Sequence, residues 1–96
     1  MSFIIIFKME INPIDKRILR LVDLLKFKEK ISSKEEFCNK IEITRATFSK
    51  IKNGYPNHFT VKQIDIICNE YHVNANWIFG LEEEVFLSEN AQKLLK

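Results

Sequence analysis

Glycine is scarce: the 96-residue chain has two, Gly54 and Gly80. Loops that cradle phosphates are built from clustered glycines, so a nucleotide-binding loop of that kind is excluded. Cysteine is equally scarce, and Cys38 and Cys68 cannot make a disulfide framework. Cys68 and His72 lie four apart and share a helix face. A structural zinc site needs four ligands at closed spacings, however, and Cys38 and His58 do not complete one. Long apolar runs are missing as well. Residues 1–7 are almost all apolar but too short to span a membrane, and they lack the basic flank and cleavage site of a secretory signal. Two lone thiols without such a signal read as cytosolic, so a cytoplasmic protein with no membrane partner is expected. No Ser-His-acid spacing or His/carboxylate cluster is present, so neither catalysis, a metal, a cofactor nor a small-molecule ligand is expected. Repeats and low-complexity segments are absent.

One further absence is local. Residues 43–64 contain no Asp or Glu, whereas Arg45, Lys50, Lys52 and Lys62 all fall there. The acids gather elsewhere, most visibly at Glu82, Glu83 and Glu84. The net charge of +2 is ordinary, but a basic stretch of this kind is the footprint of phosphate contact. The competing account is a solvated basic face with no partner.

What is present is helical periodicity. Asn12 can cap a helix with Pro13 at its first position, and Ile14, Ile18, Leu21, Val22 and Leu25 follow at i, i+4, i+7, i+8 and i+11. Lys26, Lys28 and Lys30 crowd its end, where the macrodipole favours cations. Ser32 or Ser33 caps a second helix whose first turn holds Glu35 and Glu36 and whose apolar face holds Phe37, Cys38 and Ile41. After Ile43, Thr44 caps a third helix with Phe48 and Ile51 on one side. Gly54 ends it, and Pro56 prevents its resumption. Thr60 caps a fourth helix with Val61, Ile64, Cys68 and Tyr71 along one face, and Asn74 caps a short fifth carrying Trp77, Ile78 and Phe79. The expected architecture is all-α: one compact bundle of about five short helices. Its domain spans residues 12–80, with an apolar arm at 1–11 and a tail or extra helix at 81–96.

Residues 34–54, with two short helices and a tight turn, have the layout of a helix-turn-helix. They resemble the lambda-repressor-like, XRE-type DNA-binding family. Ser33 and Lys34, the small Cys38, the turn Glu42-Ile43-Thr44 and the closing Ile51-Lys52-Asn53-Gly54 carry the resemblance. A second block, residues 73–80, is similar to the family's closing segment of a polar cap, Trp, apolar residues and Gly. The likeness runs from about Ile14 to Gly80. There are two departures. Glu42 stands where the family favours Gly, often left-handed, at a cost of about 1 kcal/mol. Lys34 replaces the family's Gln.

The resemblance implies a sequence-specific regulator, a repressor of phage or mobile-element type, which binds a palindromic operator in double-stranded DNA as a homodimer. Its third helix enters the major groove. Base contacts then fall to Arg45, Ala46, Thr47, Ser49 and Lys50, with Arg45 and Lys50 suited to guanine and Ala46 to a thymine methyl. Phosphate contacts fall to Lys34, Thr44, Lys52, Asn53, Gly54 and Tyr55. His58 is expected to meet a phosphate or solvent. An alternative within the resemblance is an antitoxin-like module that binds a protein toxin through its termini as well as DNA. Three accounts compete for residues 1–7: pairing with a second subunit, packing on the chain's own helices, or an upstream extension of a chain that starts at Met9. Trp77 and Phe79 are either interfacial or core. A last helix starting at Ser88 packs back on the domain, docks on a partner, or frays.

Overall fold

The computed structural model describes residues 11–89. Five helices follow in order: α1 Pro13–Phe27, α2 Lys34–Lys40, α3 Arg45–Lys52, α4 Val61–Tyr71 and α5 Ala75–Ile78. Among the described residues there is no strand, only an isolated antiparallel bridge between Val73 and Phe86. The chain is a small all-helical bundle, as its periodicity predicts. α1 packs against α2 and α5, and α2 packs against α3. No helix among the described residues is long and apolar enough to cross a membrane.

Each helix starts on the side chain that its sequence supplies. Asn12 Oδ1 accepts from the Ile14 amide at 2.7 Å, with Pro13 at the first position. Of the two candidate serines, Ser33 caps α2, its Oγ accepting from the Glu36 amide at 3.1 Å. Ser32 is held from the other direction, its amide and hydroxyl donating to the Glu36 carboxylate at 3.0 and 2.7 Å. Those bonds favour the charged carboxylate and lower the Glu36 pKa. Thr44 caps α3, Asn74 caps α5, and Thr60 forms a reciprocal capping box with Gln63 on α4.

Four helices close alike. In each, the residue after the cap is left-handed and the two amides beyond the cap bond back into the last turn. These residues are Glu29 after α1, Glu42 after α2, Gly54 after α3 and Gly80 after α5, with φ of 59°, 62°, 81° and 80°. At α2 the Glu42 amide donates to Asn39 O at 3.3 Å and the Ile43 amide to Cys38 O at 3.0 Å. At α3 the Gly54 amide donates to Ile51 O at 3.2 Å and the Tyr55 amide to Lys50 O at 2.9 Å. The turn between α2 and α3 is therefore regular despite its Glu, and α4 supports it. Lys62 Nζ lies 3.2 Å from Glu42 Oε1, and Gln63 Nε2 lies 3.5 Å from Glu42 O. Gly80 has a second constraint, because a Cβ there would stand 2.7 Å from the Arg17 guanidinium, which donates to Ile78 O at 3.0 Å.

The core gathers Ile18, Leu21, Val22 and Leu25 of α1 with Phe37, Cys38 and Ile41, then Phe48 and Ile51, and finally Ile67, Val73 and Ile78. The face of α4 differs from its expected form. Ile67 is fully buried and centres it, with Ile64, Cys68 and Tyr71 half-buried around it, while Val61, in the first turn, is 85% exposed. Trp77 is half-buried against the core, and Phe79 remains exposed.

The first part of the tail packs back on the domain. Asn74 N donates to Val85 O at 2.8 Å and Leu87 N to His72 O at 2.9 Å. The Asn74 side chain donates to Glu82 Oε1 at 2.6 Å and Glu84 O at 3.0 Å, and Lys28 Nζ sits 5.1 Å from the Phe86 ring centroid. The arm expected over residues 1–11 lies outside the described residues except for Ile11. The helix expected from Ser88 lies outside them beyond Glu89.

Candidate nucleic-acid interface

The turn that closes α2 directs α3 so that Phe48 and Ile51 point into the core, both almost fully buried. Phe48 meets Phe59 edge-on, with ring centroids 6.1 Å apart and planes at 71°. Helical spacing then puts Arg45, Ala46, Ser49 and Lys50 on the opposite side, and all four are exposed. Thr47, between the two sides, is half-buried. The sequence-predicted base-contact set is thus one outward stripe, with Thr47 at its margin.

The residues expected at phosphates do not all stand alike. Lys34, Lys52, Asn53 and Tyr55 are exposed. Gly54 is buried, and its amide is used in closing α3, so its contribution is its left-handed backbone. The Thr44 hydroxyl accepts from the Thr47 amide at 3.1 Å and donates to Thr47 Oγ1 at 2.9 Å. The hydroxyl proton left to this pair is therefore that of Thr47. Asn53 Nδ2 donates to Ser49 Oγ at 3.2 Å, which leaves the Ser49 hydroxyl its own proton to give.

Between α2 and α3 lies an open cleft of about 450 Å³, lined by Lys34, Glu35 and Cys38 from one helix and Arg45, Ser49 and Lys52 from the other. Lys34 Nζ is 5.8 Å from the Phe48 ring centroid. The Lys52 ammonium, a second donor with no acceptor to offer, approaches Lys34 and by its charge holds the Lys34 pKa below the ordinary lysine range. Neither ammonium has a carboxylate partner among the described residues. Two cations crowded without an anion make a place where a bound anion relieves repulsion. Cys38, in the cleft lining, is almost wholly buried, and burial raises its thiol pKa, as it does for Cys68; both cysteines are free thiols.

Two features depart from the sequence reading. His58 does not simply face solvent: its Nδ1 lies 2.8 Å from Oδ2 of the buried Asp15, whose Oδ1 accepts from the Phe59 amide at 3.2 Å. The pair ties the loop after α3 to the start of α1. Asp15 is by position a first-turn acid of α1, and a contact 43 residues distant leaves no mark in local periodicity. The second feature is Glu35, whose Oε1 accepts from Arg45 Nη1 at 2.7 Å. Its sequence signal, an acid in the first turn of a helix, points to the macrodipole and not across the turn. Compared with known proteins, the chain matches no family model, no curated protein and no solved structure.

Proposed function

We propose that the outer stripe of α3 enters the major groove of double-stranded DNA and that the chain is a sequence-specific transcription regulator. It acts in the cytoplasm as a repressor of phage or mobile-element type. The observation that supports this reading best is that Arg45, Ala46, Ser49 and Lys50 form an exposed stripe with no share in the core, beside a cleft that holds Lys34 and Lys52. A stripe with long donors, a small apolar residue and a hydroxyl has the chemistry of base-edge readout, and the lysines beside it have that of phosphate contact. The left-handed Glu42 adds support, because the resembled family favours Gly at that position. α2 then lies across the backbone while α3 reads the groove.

One short helix seldom gives operator-level affinity. The reading therefore includes a homodimer whose recognition helices lie about 34 Å apart, one DNA turn. Phe79 and Leu81, 48% and 74% exposed at the end of α5, are its candidate contacts among the described residues. Selection of binding sequences from a pool of randomised duplex DNA tests the reading. A two-fold symmetric consensus is the expected result, and enrichment of no sequence contradicts it. Sedimentation of the full chain tests the dimer, which a monomer at every concentration would refute.

A further inference from the structure

We infer that Glu35 is a specificity-determining residue of this interface, one that withholds Arg45 from phosphates and presents it to a base. The inference rests on the DNA-binding reading and assigns a role within it. Glu35 is the sole acid among the described residues lining the cleft, and it is spent on Arg45 at 2.7 Å. The side chains are 77% exposed for Arg45 and 59% for Glu35, so the pair adds little to stability. The start of α2 has no need of it either, because Ser33 and Glu36 already satisfy the capping bonds there.

For raw affinity this carboxylate is a liability. It repels phosphates, and it cancels the charge of the donor best placed to attract them. Its effect on readout is different. Arg carries five N–H donors in a rigid fork, and one donor on Nη1 is taken by Glu35. The rest remain for the two-bond contact with guanine O6 and N7, which depends on direction as much as on charge. A neutralised guanidinium therefore loses more on a random phosphate than on its own base pair. Held from one side, it also arrives at that base pair already oriented.

The test uses the full chain and three duplexes: the selected site, the same site with the Arg45-dependent base pair exchanged, and an unrelated duplex. Glu35→Gln keeps the size and an acceptor but removes the charge. It should tighten binding to the unrelated duplex about tenfold at low salt, and steepen the salt dependence by about one phosphate contact. The ratio between selected and exchanged sites should fall severalfold. In an Arg45→Ala background the same substitution should leave that ratio unchanged, and Glu35→Ala should act in the same direction as Glu35→Gln. A ratio unchanged in Glu35→Gln, while the parent discriminates, overturns the inference and leaves the DNA-binding reading standing. A loss of discrimination that persists without Arg45 overturns it too, because Glu35 would then act independently. A parent with no preference among the duplexes overturns both.

Discussion

On the inner side of α3, Phe48 and Ile51 are buried at 4% and 1% exposure, and each neighbour restricts what they can be. On the outer side, Arg45, Ala46, Ser49 and Lys50 are exposed, and the fold makes no comparable demand on them. A helix of eight residues thus has one side that the core determines and one that the core leaves open. A side chain needed for packing explains itself. A basic stripe that packing does not need is open to a partner, and the proposed function rests on that side.

The sharpest way to break the comparison is to exchange the sides' expected sensitivities. Phe48→Ala should cost about 3–5 kcal/mol of stability in chemical denaturation, because it removes a buried ring and opens a cavity beside Phe59. A loss under 1 kcal/mol would mean that the inner side is not the determined one.

Arg45→Ala should do the reverse. Stability should stay within about 0.5 kcal/mol of the parent, the exposed Glu35 pair being worth little. Binding to the selected duplex should weaken by about 1–3 kcal/mol, with preference relaxed at one base pair per half-site. Equal binding by parent and variant in a titration would remove this stripe from the groove.

Lys52→Met sharpens the contrast, since it should raise the thermal midpoint while weakening every duplex alike and lowering the salt slope by about 0.9. Crowding by Lys52 lowers the Lys34 pKa, so the repulsion costs stability at pH values below that lowered pKa and fades as pH rises through it. In the proposed reading, charged Lys34 is the form that meets a phosphate. Parent affinity should therefore fall with rising pH earlier than that of Lys52→Met, in which Lys34 titrates nearer the ordinary lysine range. A lower midpoint in the variant would show that the two ammoniums are not crowded.

The smallest effect lies in the turn. Glu42→Gly should stabilise by a few tenths to about 1 kcal/mol, since φ at this residue is 62° and the exposed Lys62 pair that it loses is weak. A lowered midpoint would show that the Lys62 pair, and not backbone conformation, governs this corner.

Much of this architecture was legible in the sequence because it is local. Asn12, Ser33, Thr44, Thr60 and Asn74 each accept from amides two or three residues on, and the apolar spacing of α1 and α3 follows from 3.6 residues per turn. The centre of α4 was missed because Val61 and Ile67 are both compatible with that spacing, and only tertiary packing chooses between them. The exposed stripe of α3 was legible for the same local reason. The pairings Arg45–Glu35 and His58–Asp15 were not, because they depend on how the turn and the loop set one helix against another.

The central claim is tested most directly by following the backbone amide resonances of the full chain as duplex DNA carrying the selected site is added. The account predicts the largest changes at Arg45, Ala46, Ser49 and Lys50, with smaller ones at Lys34 and Lys52, and little change at Ile67 or Val73. Changes centred on α4 or α5, or none at any residue of α3, would contradict it.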